Sequence, residues 1–587
     1  MNRAVSKDDG RQYEQFPFGE GTLYLSAGSA ESGGCSFRSP CGNNFLLFEG
    51  ELTNRYELKN KLLGKGAQFN TDSDAEVLLW ALMEWGKEIV KELEGMFAFV
   101  FLNTEKREIL SARDRQGIKP LYCHLEEDVS IISSSIRAIF ASGIPAQTLN
   151  TGSIRQFLSQ GFIEAPKTFY QSIQELKAGT CNIMNAESHK LDEALFCLAE
   201  GGEEFGGMSD GKLVEQFEEL LSDALFRNFP HGQYFGMSLD GTLNGALLLT
   251  LGKKVGALPT YIFTQNFSKK QEELAEELLA FLGISHHPIR FNREMLSNFG
   301  EYVDAMEQPM ADPETFIRYL TAKICSPYAK VLWSTEGSRE LLGTKSRIFA
   351  FYQYLSNYEN VQKLLPVLRQ GSGWLPAKFN SLAGGKIDLL KKYVHKISPG
   401  PSETFQAFVS DSVLAEPFPV ETPLFENEPG SPDFVSHNLS CLLQFEQHRF
   451  LSRAILPSHE LIFRQWNLET RLPFQDEALV DFIHQLPAGQ LLEKGRNWMV
   501  EALLEENKLG KLVKKLARPT SPPIGKWIRE MWADEAKSLY LETNALSSYL
   551  DLEQVECAVK LHLEGKEDRS SLIWRLLVLK RWLERNS

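Results

Sequence analysis

From about Lys212 onward, strand-length apolar runs alternate with amphipathic helical ones, and this alternation narrows the architecture of the chain more than any other feature. Leu213, Phe217, Leu220, Leu221, Ala224 and Leu225 recur at helical spacing and mark one apolar face. Tyr234-Phe235-Gly236-Met237 reads as a strand, Asp240-Gly241 as a turn and Leu243 to Leu251 as a helix. A strand over Thr260 to Phe263, a helix over Glu272 to Phe281 and a short strand near His286 to Ile289 continue the series. Alternation of this kind predicts a parallel sheet whose ligands sit at the carboxyl ends of its strands.

The first part, to about residue 150, is patterned differently. Asn44 to Phe48 reads as a strand that Glu49-Gly50-Glu51-Leu52 turns away from its line. Ser73 ahead of Asp74-Ala75-Glu76 and an apolar run has the signature of a helix N-cap. Met96 to Leu102 is a continuous apolar strand, and a polar turn from Asn103 to Arg107 leads to another strand at Ile109-Leu110. So many strands with few helices predict stacked sheets with helices outside. A chain of 587 residues exceeds one core, which gives two large domains. The stretch from Leu364 to Gly430 is rich in Gly, Pro and Ser and reads as an irregular excursion, after which helices return from Leu439.

Composition removes several functions. A net charge of -15 and a pI near 5.4 argue against a nucleic-acid partner, which calls for a basic face. The longest apolar runs are strand-sized, so no membrane span is expected. Met1 to Gln15 lacks the apolar stretch of a secretory signal, and eight scattered cysteines without a CxxC pair suggest thiols in a reducing compartment. A cytoplasmic location is the expectation. The adjacent His286 and His287 point to opposite sides of a strand and so do not converge on one metal ion.

Four segments of the first part fall in order: Phe48-Glu49-Gly50-Glu51, Ser73-Asp74-Ala75-Glu76-Val77, Leu93-Glu94-Gly95-Met96-Phe97-Ala98-Phe99 and Ala112-Arg113-Asp114 through Gly117-Ile118-Lys119-Pro120-Leu121-Tyr122. This series resembles the glutaminase domain of glutamine-hydrolysing asparagine synthetases. Downstream, Ser334-Thr335-Glu336-Gly337-Ser338-Arg339-Glu340-Leu341 is similar to that family's S-G-E-G-x-D-E-L, and Leu468 to Asp476 to its L-E-x-R-x-P-F-L-D. Pro522 to Trp527 and Trp574 to Leu577 extend the likeness over nearly the whole chain. The resemblance implies an Ntn-type stacked-sheet domain at 1–205 and a PP-loop, parallel-sheet synthetase domain with helical additions at 206–587. It also implies the family's chemistry: ammonia freed from glutamine, a carboxylate adenylated with ATP and Mg2+, and a tunnel between the two sites.

Each step makes a demand on residue types. Glutamine hydrolysis needs a nucleophile beside an N-terminal amine, and Asn2 supplies none. The family's N-G-E oxyanion turn reads Glu49-Gly50-Glu51, and a carboxylate there repels a developing oxyanion. Asp74 matches the residue that holds the substrate amine. We therefore expect no glutaminase activity. For the nucleotide, the pyrophosphate loop S-G-G-x-D-S corresponds to Ser238, Asp240 and Thr242 within Gly236-Met237-Ser238-Leu239-Asp240-Gly241-Thr242, with Met237 expected to obstruct the approach to phosphate. For Mg2+, Asp240 is retained, but the second metal carboxylate is Arg339, which repels a cation and contacts phosphate only as a fixed charge. Glu336 matches the acid-base or substrate-orienting position, with capping of the following helix as the plain structural alternative. The family's lysine falls on Ala517, leaving Lys514 and Lys515 one turn away as the nearest replacements, although solvated lysines on a helix face are the more ordinary explanation for them.

Two expectations follow. One is a pseudoenzyme or strongly altered enzyme in which the two-domain fold serves as a partner subunit, as a homodimer or beside an active paralogue or pathway enzyme. The other is an ATP-dependent amide-bond-forming synthetase or cyclase, resembling β-lactam synthetases and lasso-peptide cyclases, that joins a small-molecule or peptide carboxylate to an amine from a source other than glutamine.

Overall fold

The computed structural model describes residues 34–126, 129–185, 191–196, 207–230, 234–345, 434–516 and 522–586 apart from 542, 543 and 548, with short strands before residue 27 and positions 348, 349 and 352. Asn2, the Leu364 to Gly430 excursion and Ala517 lie outside the described residues.

Among the described residues, two six-stranded sheets make the first part. In one the strands run in the order Arg3–Val5, Gln12–Phe18, Gly21–Ser26, Val129–Ser133, Tyr122–Leu125, Gln174–Glu175. In the other the order is Leu191–Leu195, Thr180–Asn185, Glu108–Arg113, Gly95–Asn103, Asn44–Leu52, Gly34–Arg38. Strand periodicity explains how they stack. Phe45 and Leu47 point into an apolar layer shared with Leu121, Cys123 and Ile132 of the first sheet, while Leu46 and Phe48 point the other way. That outer face is covered by the helices Arg55–Leu63 and Asp74–Trp85. Ser73 caps the second of these, its hydroxyl accepting from the Glu76 amide at 3.2 Å.

One strand runs on where a turn is expected. Asn44–Leu52 keeps its antiparallel register past Glu49-Gly50-Glu51 to pair Leu52 with Gly95. Gly50 sits at φ +126° and Gly95 at +131°, and a Cβ at either would meet a carbonyl oxygen of the facing strand. The motif glycines therefore let two backbones close together.

The second part is an all-parallel sheet in the order His287–Arg290, Tyr261–Asn266, Phe235–Leu239, Val331–Trp333, Glu469–Arg471. Phe235, Met237 and Leu239 face one apolar core with the helices Asp210–Arg227 and Leu243–Lys254. Phe263, Ile289 and Leu332 face a second core with the helices Pro313–Cys325, Leu456–Arg464 and Ser570–Asn586. This second core is shared with Tyr122, Phe157 and Phe169 of the first part, so one apolar body joins the two. The result is α/β and α+β architecture in one chain.

Candidate functional site

A cavity with an empty volume of about 840 Å³ including its mouth lies where sheet topology places ligands, beyond the carboxyl ends of Phe235–Leu239, Tyr261–Asn266 and Val331–Trp333. The turn after the central strand supplies Ser238, Asp240 and Thr242 to its lining. Gly241 at φ +71° makes the turn, and Thr242 caps the following helix, accepting from the Gly245 amide at 3.3 Å. Met237 does not obstruct this turn. Its side chain is fully buried in the opposite core because residues 237 and 238 lie on opposite faces of a strand.

The charges of the cavity are already matched to one another. Asp240 Oδ1 accepts from the Thr242 amide at 3.1 Å and from its hydroxyl at 2.7 Å, and Oδ2 accepts from the Thr335 hydroxyl at 3.3 Å. Arg339 donates to Glu314. Arg318 donates to Glu336 at 2.7 Å and to Asp312 at 3.1 Å, and lies 3.4 Å from Glu314. Burial opposes the charge on Glu314, but Arg339 and Arg318 overcome it and draw its carboxyl down from the usual range. Glu336 is moved the other way. Burial lifts it against the pull of Arg318, with Glu340 and Glu314 adding to the rise. His459, on the cavity wall, is held neutral by burial and by nearby Arg318 and Lys119.

Glu336, Ser238, Asp240, Thr242 and Arg339 thus meet in one cavity. Lys514 and Lys515 do not join them. Both are exposed on the helix Gly510–Leu516, and Lys515 pairs with Glu277 at 2.7 Å. Their neighbours Leu512, Val513 and Leu516 bury the other face of that helix, which turns the lysines outward. Arg318, Glu314 and Asp312 stand outside the motifs read from the sequence. A signal for them exists: Asp312-Pro313-Glu314 has the pattern of a capped helix start, and Glu314 and Arg318 are one turn apart.

The residues present do not fit the family's divalent cation. An ion there would need hard oxygen donors, and Arg339 brings a fixed positive charge bound to the nearest carboxylate. Among the described residues no group of three or more His, Cys, Asp or Glu side chains is placed to hold a metal.

In the first part, Asp74 is largely buried beside Arg55 at 3.4 Å, and burial pushes its carboxyl up to about 6 against the arginine's pull. Glu49, at 2% exposure, accepts from Arg464 at 2.9 Å. Lys119 donates to Glu460 at 2.6 Å, and Arg471 pairs with Glu51 and, at 3.0 Å, with Glu469. Glu460, Arg464, Glu469 and Arg471 all belong to the second part. The segments that resemble a glutaminase pocket are therefore tied by buried ion pairs to the helix and strand that carry His459, Phe463 and Thr470 into the large cavity.

Comparison with known proteins agrees with this layout. A model described as a glutamine amidotransferase domain matches residues 14–194, and one described as asparagine synthase matches residues 216–584. The chain belongs to the asparagine synthase family. Glutamine-hydrolysing asparagine synthetase 1 of Bacillus subtilis is 24% identical over 584 residues, covering 96% of this chain and 89% of its own. Glutamine-hydrolysing asparagine synthetase 3 of the same organism is 22% identical, covering 87% and 81%. Amidase chry2 of Gibberella zeae is 23% identical, covering 81% and 76%. A solved glutamine phosphoribosylpyrophosphate amidotransferase from B. subtilis covers 44% of this chain and 63% of its own at 15% identity and a TM-score of 0.20, too low to bear on the fold. Family membership implies ATP as the co-substrate of the ancestral reaction. No helix among the described residues is long and apolar enough to cross a membrane.

Proposed function

We propose that this chain is an asparagine synthase family member that has left glutamine-dependent amide synthesis and serves as a non-catalytic partner subunit. The observation that carries the reading is the Arg339–Glu314 pair, which puts a guanidinium where the family's second metal carboxylate belongs. A nucleotide triphosphate entering the cavity would meet Asp240, Glu314 and Glu336 with both arginines already engaged and without a cation between. Glu49 adds a second argument. Its carboxylate stands where a neutral oxyanion donor is needed, and its charge is spent on Arg464. The partner is a second copy of the chain, an active paralogue or a pathway enzyme.

One feature favours a second reading, an amide ligase or cyclase that takes an amine other than glutamine-derived ammonia. The cavity remains open, with Ser238, Asp240, Thr242 and the elevated Glu336 carboxyl facing it. The relative named as an amidase shows that this chain resembles proteins with names other than asparagine synthetase. Calorimetric titration of ATP with and without Mg2+, followed by pyrophosphate release with candidate carboxylates, separates the two. The partner-subunit reading expects no Mg2+-dependent binding and no pyrophosphate. Micromolar Mg2+-dependent ATP binding would sink it.

A further inference from the structure

The turn that carries Asp240 and the loop that carries Thr335 leave adjacent strands of the parallel sheet. Phe235–Leu239 pairs with Val331–Trp333, Met237 beside Trp333, so the two segments emerge next to each other at one sheet edge. The Thr335 hydroxyl reaches across and donates to Asp240 Oδ2 at 3.3 Å. From the carboxylate's own turn, the Thr242 amide and hydroxyl donate to Oδ1 at 3.1 and 2.7 Å. Both oxygens of Asp240 therefore have donors, and each of these donors is neutral. In the motif S-G-E-G-x-D-E-L the residue at position 335 is glycine, which has no hydroxyl to give.

Arg339 acts on the other side of the same cavity. Gly337 at φ +80° turns the chain into the short helix Ser338–Leu341, from which Arg339 donates to Glu314. Arg318, one helical turn beyond Glu314, serves Glu336 at 2.7 Å and Asp312 at 3.1 Å. The acids on this side already have cations of their own. A hard divalent cation is held by carboxylates together with water or phosphates, and an arginine against the nearest acid both repels it and withdraws a ligand. The oxygen set is otherwise kept, since Asp240, Glu314 and Glu336 all line the cavity.

We infer that Thr335 and Arg339 together stand in for the divalent cation, Thr335 as the hydroxyl partner of Asp240 and Arg339 as the counter-ion of Glu314. Exclusion of the cation resides in these two side chains of one loop. The cavity is thus a closed cation site that two substitutions reopen. This rests on the reading that the chain has left the family's Mg2+-dependent chemistry. It goes further in giving Thr335 a part and in making the exclusion reversible.

The test titrates the full-length protein with Mn2+, without nucleotide, and follows the loss of the free ion's spin-resonance signal. The wild type is expected to show no saturable binding. The double variant Thr335→Gly, Arg339→Asp uncovers Asp240 Oδ2 and returns a carboxylate to the second position, and it should bind Mn2+ saturably. Adding Asp240→Asn should abolish that binding, which puts the ion at Asp240. Arg339→Asp alone, with the Thr335 hydroxyl still on Asp240, should bind about 2- to 12-fold more weakly than the double variant, the range for one neutral hydrogen bond. Equal affinity overturns the part given to Thr335. Thr335→Gly, Arg339→Asn offers a neutral oxygen without a new charge beside Glu314, and it carries the test if the aspartate variant does not fold. Folded double variants that bind no Mn2+, or binding that survives Asp240→Asn, overturn the inference and leave the partner-subunit reading standing. Saturable Mn2+ binding by the wild type that is lost in Asp240→Asn overturns both.

Discussion

Lys119 and Glu460 form a pair that is almost wholly buried, with side chains 3% and 2% exposed and 2.6 Å between their charged atoms. Removing one partner of such a pair strands the other, whereas removing both leaves only a packing change. Lys119→Met is therefore expected to cost about 3–5 kcal/mol in urea denaturation. The double variant Lys119→Met, Glu460→Met should recover most of that loss. A single variant as stable as the wild type would show that the Lys119–Glu460 pair contributes nothing to the fold. The same layer sets a pH dependence. Burial pushes Glu469 up to about 7, against Lys119 and with Glu460 adding to the rise, and pushes Asp74 up to about 6 against Arg55. A carboxyl raised on folding binds its proton more tightly in the native state than in the unfolded one. Its contribution is full below the unfolded value and is lost as pH rises through the folded one. Stability from these two groups should fall between about pH 4.5 and 7.5. Comparison of urea midpoints across that window should show Glu469→Gln flattening the decline. A slope unchanged by the substitution would remove Glu469 from the account.

At the scale of elements, the paired strands Asn44–Leu52 and Gly95–Asn103 depend on two glycines whose left-handed backbones bring the chains into near contact. Gly50→Ala or Gly95→Ala would drive a methyl group into the carbonyl of the facing strand, and neither strand can yield inside a double layer. Each is expected to cost more than about 3 kcal/mol, or to leave no folded protein. Gly66→Ala serves as the control: its φ is +89° but nothing lies within 4 Å, so the cost should be about 1–2 kcal/mol. Equal losses at all three would mean that conformation alone, and not backbone approach, selects glycine. These strands also show how much a sequence discloses. The Ser73 cap, the Met96 to Leu102 strand and the alternation after Lys212 are visible in it because capping and periodicity are local properties. The continuation of the Asn44 strand through Glu49 and Glu51 is not. Two acidic residues look like a turn until their partners, Arg464 and Arg471, arrive from more than four hundred positions away. Met237 reads as an obstruction for a related reason, since position in a motif does not reveal which face of the strand a side chain takes. Of the cavity, Asp240, Thr242, Glu336 and Arg339 are legible through the family's motifs, whereas Arg318 and Glu314 become meaningful only when the Pro313–Cys325 helix is placed beside them.

For the molecule as a whole, the question is whether two family domains behave as two bodies. Phe169 packs against Trp582 with the rings tilted and their centroids 4.7 Å apart, and Phe162 meets Phe450 edge-on at 5.5 Å. Arg575 donates to the Leu158 carbonyl at 2.8 Å, so apolar and polar contacts alternate across the same boundary. Tyr122, Phe157 and Phe169 share a core with Phe463, Trp574 and Trp582, and the ion pairs of Glu49 and Lys119 adjoin it. Neither part can open without exposing that core and stranding those charges. Unfolding should accordingly be one cooperative transition despite the length of the chain, with the calorimetric enthalpy matching the van't Hoff value. Trp582→Ala, which removes a fully buried ring from the shared core, should cost about 3–5 kcal/mol and begin to separate the transition into two. Phe97→Ala, confined to the core between the outer helices and their sheet, should lower stability by a similar amount without dividing it. If the wild-type chain already melts in two steps, the boundary is a contact between independent domains.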